Sequence, residues 1–305
     1  MNENTRIVRP NLTIAFLLPA LLCFRFSTCL VFPDGLPDGT ETHAPPWQEV
    51  TTEAWDRTTL GSHGLTALNL PGLNWKHAET PHFVIHYEQA IFARKTARMA
   101  EFFYSYIKAD FEETPDHTKG RSHVFIFRDD QAWRAFKASR PDVESWTYSM
   151  VEGPIMYLQQ ADSPAASGDV LAHEMTHLVL NRILPGQCPL WLNEGLAEFY
   201  GTFAYAAFKG IKKSRGTQFK RLDHPYPLDS LFTATDYPSS PEQVRAFYET
   251  ARYLVGFLLL KGDPKSFRPF IESLSSGEEI SAALSAYYHY PTLADMEKSF
   301  SAFSK

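Results

Sequence analysis

Cysteine is scarce: there are three in 305 residues, at positions 23, 29 and 188. The first two fall in an amino-terminal stretch that reads as a targeting segment. Cys188 is then left alone, and no intramolecular disulfide framework can hold a mature fold. A basic excess is missing as well. Lys and Arg number 29 against 35 Asp and Glu, for a formal net charge of −6. The short run Lys212-Lys213-Ser214-Arg215 with Lys220-Arg221 reads as a solvated loop, which argues against nucleic acid as a partner. The apolar run Leu12 to Phe24 is too short for a comfortable membrane span and is closed by Arg25. What remains is a chain with 44% hydrophobic residues and ordinary charge content, enough to bury a sizeable core.

The amino terminus has the pattern of an export signal. Arg6 and Arg9 precede the apolar run, and Ser27-Thr28-Cys29 offers small residues for a cut. A cleaved signal over 1–29, a lipoprotein acylated at Cys29 or Cys23, and an uncleaved anchor all remain open. Removing 1–29 takes away Arg6, Arg9, Arg25 and Glu3 and moves the net charge from −6 to −8. The expectation is an exported protein, periplasmic, envelope-bound or extracellular, with membrane attachment through this segment an open option.

The chemistry concentrates in His173-Glu174-Met175-Thr176-His177, followed by Trp191-Leu192-Asn193-Glu194-Gly195-Leu196-Ala197-Glu198-Phe199. On a helix, His173 and His177 stand one turn apart on one face and can grip one ion. Neutral imidazole suits zinc, and a third ligand from elsewhere leaves a fourth position for water. Glu174 sits about 100° around the helix, beside the metal, where a general base belongs. Glu194 is the best candidate for the third ligand. Gly168-Asp169 offers a helix start with Asp169 as N-cap, and Pro185-Gly186 ends the helix. In a second helix after Pro189, Glu194 and Glu198 share a face at i, i+4. Two histidines and three glutamates on apolar helices are costly to bury unpaired, and a cation removes that cost.

HEMTH with the downstream WLNEGLAEF resembles the gluzincin zinc metallopeptidases, the group of thermolysin and the zinc aminopeptidases, and more closely the bacterial peptidase MA-like proteins. The resemblance implies one zinc ion per chain held by His173, His177 and Glu194, with Glu174 as catalytic base. It places Glu198 where a carboxylate hydrogen-bonds a ligand histidine; the exchanged assignment, Glu198 as ligand, is the competing one. Phe247-Tyr248-Glu249-Thr250-Ala251 resembles the setting of the aminopeptidase tyrosine that stabilises the oxyanion, implying that role for Tyr248, with Tyr253 and His224 as fallbacks. The aminopeptidase Gly-x-Met-Glu-Asn strand is absent. Met150 to Tyr157 does not match it, and Glu152 is only a weak substitute, which leaves endo- and exopeptidase action both open.

The expected fold is α+β: a zincin-like domain with a small mixed sheet, an HExxH helix and a glutamate helix, followed by a helical carboxy-terminal lobe. Residues 30–80 read as a Pro/Gly-rich leader with little core, whose Trp47, Trp55 and Trp75 tuck against the domain. The catalytic domain spans 81–305, with its sheet in 81–165, metal helices in 168–204 and helical lobe in 241–305. Strands are expected at 82–87, 124–127 and 155–159, and helices at 90–108, 131–139, 242–260, 265–274, 278–288 and 292–303. By the resemblance the strand at 155–159 is the sheet edge that pairs with substrate. Free backbone groups on such an edge bind extended chain whatever its side chains, hence a polypeptide or peptide substrate. His82 and His86 read as structural, and Cys188 as loop packing. The rival readings are a deformylase-like hydrolase, weakened by the missing Gly-Cys-Leu element, and a non-catalytic zinc-containing module that binds peptides or an envelope partner.

Overall fold

A computed structural model describes residues 12–14, 45–111, 116–140, 147–160, 164–211, 219 and 221–304. The segment expected to be an export signal therefore lies outside the described residues apart from 12–14, as do 30–44 of the expected leader and nearly all of the basic run.

The chain is α+β, built around one mixed seven-stranded sheet. In chain order the strands are β1 (Leu12–Ile14), β2 (Gln48–Val50), β3 (Lys76–Glu79), β4 (Phe83–Tyr87), β5 (Ser122–Phe127), β6 (Ser149–Glu152) and β7 (Ile155–Gln159). They lie in the order β1-β6-β7-β5-β4-β3-β2. β4, β5 and β7 run parallel at the centre, and every other pairing is antiparallel. All residues of β4 and β5 are buried, as expected of parallel strands covered on both faces. The sequence expectation about the edge needs correction. The strand at 155–159 is interior: β6 lies outside it on the side of the helix that carries His173 and His177, and β1, paired antiparallel to β6 with Thr13 opposite Val151, is the outermost strand. β6 is four residues long and joined to β7 by a tight turn at Gly153, so its weak pattern merged with that of its neighbour.

One face of the sheet carries α2 (Ala90–Ala109), α4 (Pro164–Ile183) and α5 (Leu190–Phe208), and Phe83, Ile85, Val124, Ile126, Val151 and Met156 pack toward them. The opposite face is closed by α3 (Asp130–Lys137) and by residues 55–75, which include α1 (Gly61–Leu68). The part of the leader from residue 45 on thus supplies core: Leu60 and Ala67 are fully buried, and Trp75 meets Phe125 and Phe127 edge-on while donating from Nε1 to the Ala67 carbonyl. α6 (Leu228–Thr233), α7 (Pro241–Lys261), α8 (Pro264–Ser275), α9 (Ile280–Tyr288) and α10 (Leu293–Phe303) form the carboxy-terminal helical part. Ser240 caps α7 by accepting from Gln243 N, ahead of Pro241 at the first turn. Among the described residues no helix is long and apolar enough to cross a membrane.

Helix α4 begins at Pro164, so Asp169 lies inside it and is not its N-cap. Two glycines set how closely the site helices approach. A Cβ on Gly201 would stand 3.1 Å from the His173 backbone nitrogen, and one on Gly195 would stand 2.6 Å from the Ala251 carbonyl oxygen of α7. The glycine after Glu194 is thus a packing requirement between α5 and α7. Gly195→Ala is expected to force these helices apart at a cost of about 1–3 kcal/mol. It should lower the melting temperature, measured by thermal denaturation. An unchanged melting temperature would show that the contact relaxes freely.

Candidate metal centre

His173 and His177 project from one face of α4, and Glu194 reaches them from the first turns of α5. Their ligating atoms converge. The two Nε2 atoms are 3.1 Å apart, and Glu194 Oε2 lies 3.4 Å from His173 Nε2 and 3.7 Å from His177 Nε2. Zinc bound by imidazole and carboxylate at about 2.0–2.2 Å in a tetrahedral arrangement needs donors about 3.3–3.4 Å apart. Among the described residues these three form the only group of His, Cys, Asp or Glu side chains with this convergence. Glu194 Oε2 is also buried without a hydrogen-bond partner, the kind of polar atom that calls for an explanation. A cation supplies one. The donor set fits a divalent metal.

Each of these groups is steered from behind. His173 Nδ1 lies 3.1 Å from Glu198 Oε1, and Glu198 is at the rim with more than a third of its side chain exposed. His177 Nδ1 lies 3.1 Å from Asn193 Oδ1, and Glu194 Oε1 accepts from the Tyr237 hydroxyl at 2.7 Å. Such partners fix imidazole tautomers and carboxylate rotamers. With Nδ1 turned to a hydrogen-bond acceptor, both histidines present Nε2 to the centre.

Glu174 is fully buried next to the ligands. Its Oε1 accepts from Ser149 Oγ at 2.7 Å, and its Oε2 has no partner. Ser149 is the first residue of β6, so the sheet and the candidate base touch directly. Burial pushes the Glu174 carboxyl up to about 7, against the pull of His173 and the Ser149 hydrogen bond. Burial likewise pushes His177 down to about 4. For His173 burial opposes charge, but Glu194 and Glu198 outweigh it and hold the ring well above its ordinary range. Glu194 resists its own burial because His177 and His173 face it, and its pKa stays low.

Tyr248 sits on α7, buried, with its ring centroid 6.4 Å from that of His173. It stacks at 6.0 Å on Tyr237, which comes from the loop between α6 and α7. Burial, then Glu194 and Tyr248, push the Tyr237 phenol well above its usual value, so it stays a donor. The fallback residues lie elsewhere: Tyr253 packs against Phe219, and His224 is exposed. Glu152 is turned to the opposite face of the sheet, paired with His63 and Arg140. Cys188 packs against the core as a free thiol that burial pushes up. His82 pairs with Glu101, and His86 is buried between His77 and His123, both away from the centre.

Three groups at the site escaped the sequence reading: Ser149, Asn193 and Tyr237. Asn193 carried a signal, as the residue before Glu194 in the same motif. Ser149 and Tyr237 carried none, because they enter from a strand and a loop 25 and 43 residues from their partners.

No family model matches this chain, and no curated protein matches its sequence.

Proposed function

We propose that the protein is a zinc metallopeptidase of the zincin type, binding one ion through His173, His177 and Glu194 and cutting polypeptide substrates. The observation that carries this reading is the pair of buried carboxylate oxygens without hydrogen-bond partners. One, on Glu194, converges with two imidazole nitrogens. The other, on Glu174, stands beside them on the adjacent helix position. A structural site needs only the first, and tends to be closed by four ligands.

When bound, such an ion lowers the pKa of a coordinated water and polarises the scissile carbonyl. Glu174 takes the water's proton on Oε2, with Oε1 anchored by Ser149, and then passes it to the leaving amine. Glu198 and Asn193 hold the ligand imidazoles in one tautomer. Tyr248, whose ring centroid lies 6.4 Å from that of His173, is the oxyanion donor of this scheme. A polypeptide substrate is suggested by β6, which abuts Glu174 through Ser149 and whose outer side pairs antiparallel with residues 12–14, the backbone pairing an extended peptide would make in their place. The basic and apolar amino terminus makes it an exported enzyme in this reading.

The test is metal content together with cleavage of a mixed-peptide library, before and after stripping with a chelator and on adding zinc back. About one zinc per chain, with cleavage lost on stripping and restored on reloading, supports the proposal, and the cut sites distinguish endo- from exopeptidase action. Zinc without cleavage overturns catalysis and leaves a peptide- or envelope-binding module. A purified protein that takes up no metal overturns the ligand assignment.

A further inference from the structure

The two oxygens of Glu194 are in different states. Oε1 accepts a hydrogen bond from the Tyr237 hydroxyl at 2.7 Å, while Oε2 is buried without a partner and faces both histidine Nε2 atoms. A carboxylate can bind a cation through one oxygen or through both. In a centre with three protein ligands the difference is functional, because a second Glu194 oxygen would occupy the position that water and substrate need.

From this geometry we infer that Tyr237 is a positioning residue that ties up Oε1, restricts Glu194 to one ligating oxygen, and so keeps the metal centre open. The inference rests on the metal reading above and adds to it what sets the coordination number. The tyrosine is built for the task. Its ring lies nearly parallel to Tyr248, 13° between planes, and meets Phe247 edge-on at 6.3 Å. The hydroxyl lies on the ring's rotation axis, so turning the ring leaves it at Oε1, and only a swing of the whole side chain against Tyr248 and Phe247 would move it away. Tyr237 comes from outside the two metal helices, so the loop before α7 takes part in setting the coordination of a ligand on α5.

Tyr237→Phe deletes one oxygen and retains the ring, and circular dichroism with the melting temperature of the metal-free protein reports whether it folds. The informative probe is cobalt(II), whose visible absorption weakens as its coordination number rises. Wild type loaded with cobalt is expected to show the intense bands of a four-coordinate ion, and Tyr237→Phe the weaker bands of a higher-coordinate one. Zinc affinity, measured by competition with a chromophoric chelator, is expected to fall about 10–100-fold, the usual effect of removing a ligand's hydrogen-bond partner. Phe136→Leu, in the core on the opposite face of the sheet, is the packing control: it should lower the melting temperature through lost core volume while leaving the cobalt spectrum as in wild type. A Tyr237→Phe protein with the wild-type spectrum and zinc affinity overturns the role of Tyr237 alone. Wild type that takes up neither metal overturns the metal reading, and this inference with it.

Discussion

Replacing Glu174 with glutamine is expected to leave metal binding intact and to reduce peptide cleavage by roughly 10²–10⁴-fold, the range of a positioned general base. The substitution is nearly isosteric. The amide oxygen can still accept from Ser149 Oγ, so the α4 side chain keeps its place against β6. What disappears is the basicity of Oε2, a buried oxygen that nothing in the protein satisfies. Because an uncompensated buried carboxylate is itself costly, the variant should be at least as stable as wild type. This combination of retained metal, retained fold and lost turnover separates a base from a ligand. A Glu174→Gln protein that loses its metal would make Glu174 part of the coordination set. One that cuts peptides at the wild-type rate would remove it from the mechanism.

The candidate donors were legible because helix periodicity is local. Four residues of spacing put His173 and His177 on one face without any knowledge of the rest of the fold. Glu194 and Glu198 were legible as two acids on one face of a second apolar helix, with the resemblance favouring Glu194, and the structure brings Glu194 Oε2, not Glu198, to the histidine Nε2 atoms. Sequence alone could not show what lies across a layer. Ser149 reaches Glu174 only because β6 runs under α4, and a four-residue strand carries too little alternation to be read. The fold shows the same division. The long helices at 90–109 and 241–261 follow their apolar stripes, within a residue or two of expectation. Residues 45–80 looked like leader because their composition is that of loops. Yet Leu60, Trp55 and Trp75 are the cover of the far sheet face, a role defined by strands that follow them in the chain.

That cover conceals the second large effect: stability is expected to fall as pH drops from about 6.5 toward 4. Beneath Trp55 a row of imidazoles crosses three strands. His77 Nδ1 meets His86 Nδ1 at 2.8 Å, His86 Nε2 meets His123 Nδ1 at 2.9 Å, and His123 Nε2 meets Thr59 Oγ1 at 3.0 Å. The Trp55 ring lies edge-on to all three, between 5.0 and 5.7 Å. Neutral rings suit such a row, since each has one N–H to give and one lone pair to receive. A proton added to the row must stay buried. The charged groups acting on it, Arg57 and Glu53, act on His77 in opposite senses. Burial accordingly pushes His77 down, His86 well down and His123 to about 4. The sign follows: above about 6.5 neither state is charged, and below it the unfolded chain binds protons that the folded chain refuses. For His123 alone, a shift from 6.5 to about 4 amounts to about 3 kcal/mol, lost progressively across that window. Chemical denaturation at a series of pH values from 7.5 to 4.5 measures the slope. His86→Gln, which can donate and accept but does not titrate, should flatten that slope by up to one proton and weaken stability at neutral pH. The difference between the two proteins cancels the contributions of the metal-site histidines and the carboxylates. Equal slopes would mean that the row takes up protons without opening. A steeper loss in wild type, with early hydrogen exchange confined to residues 55–75, would locate the acid-labile contact at the Trp55 cover.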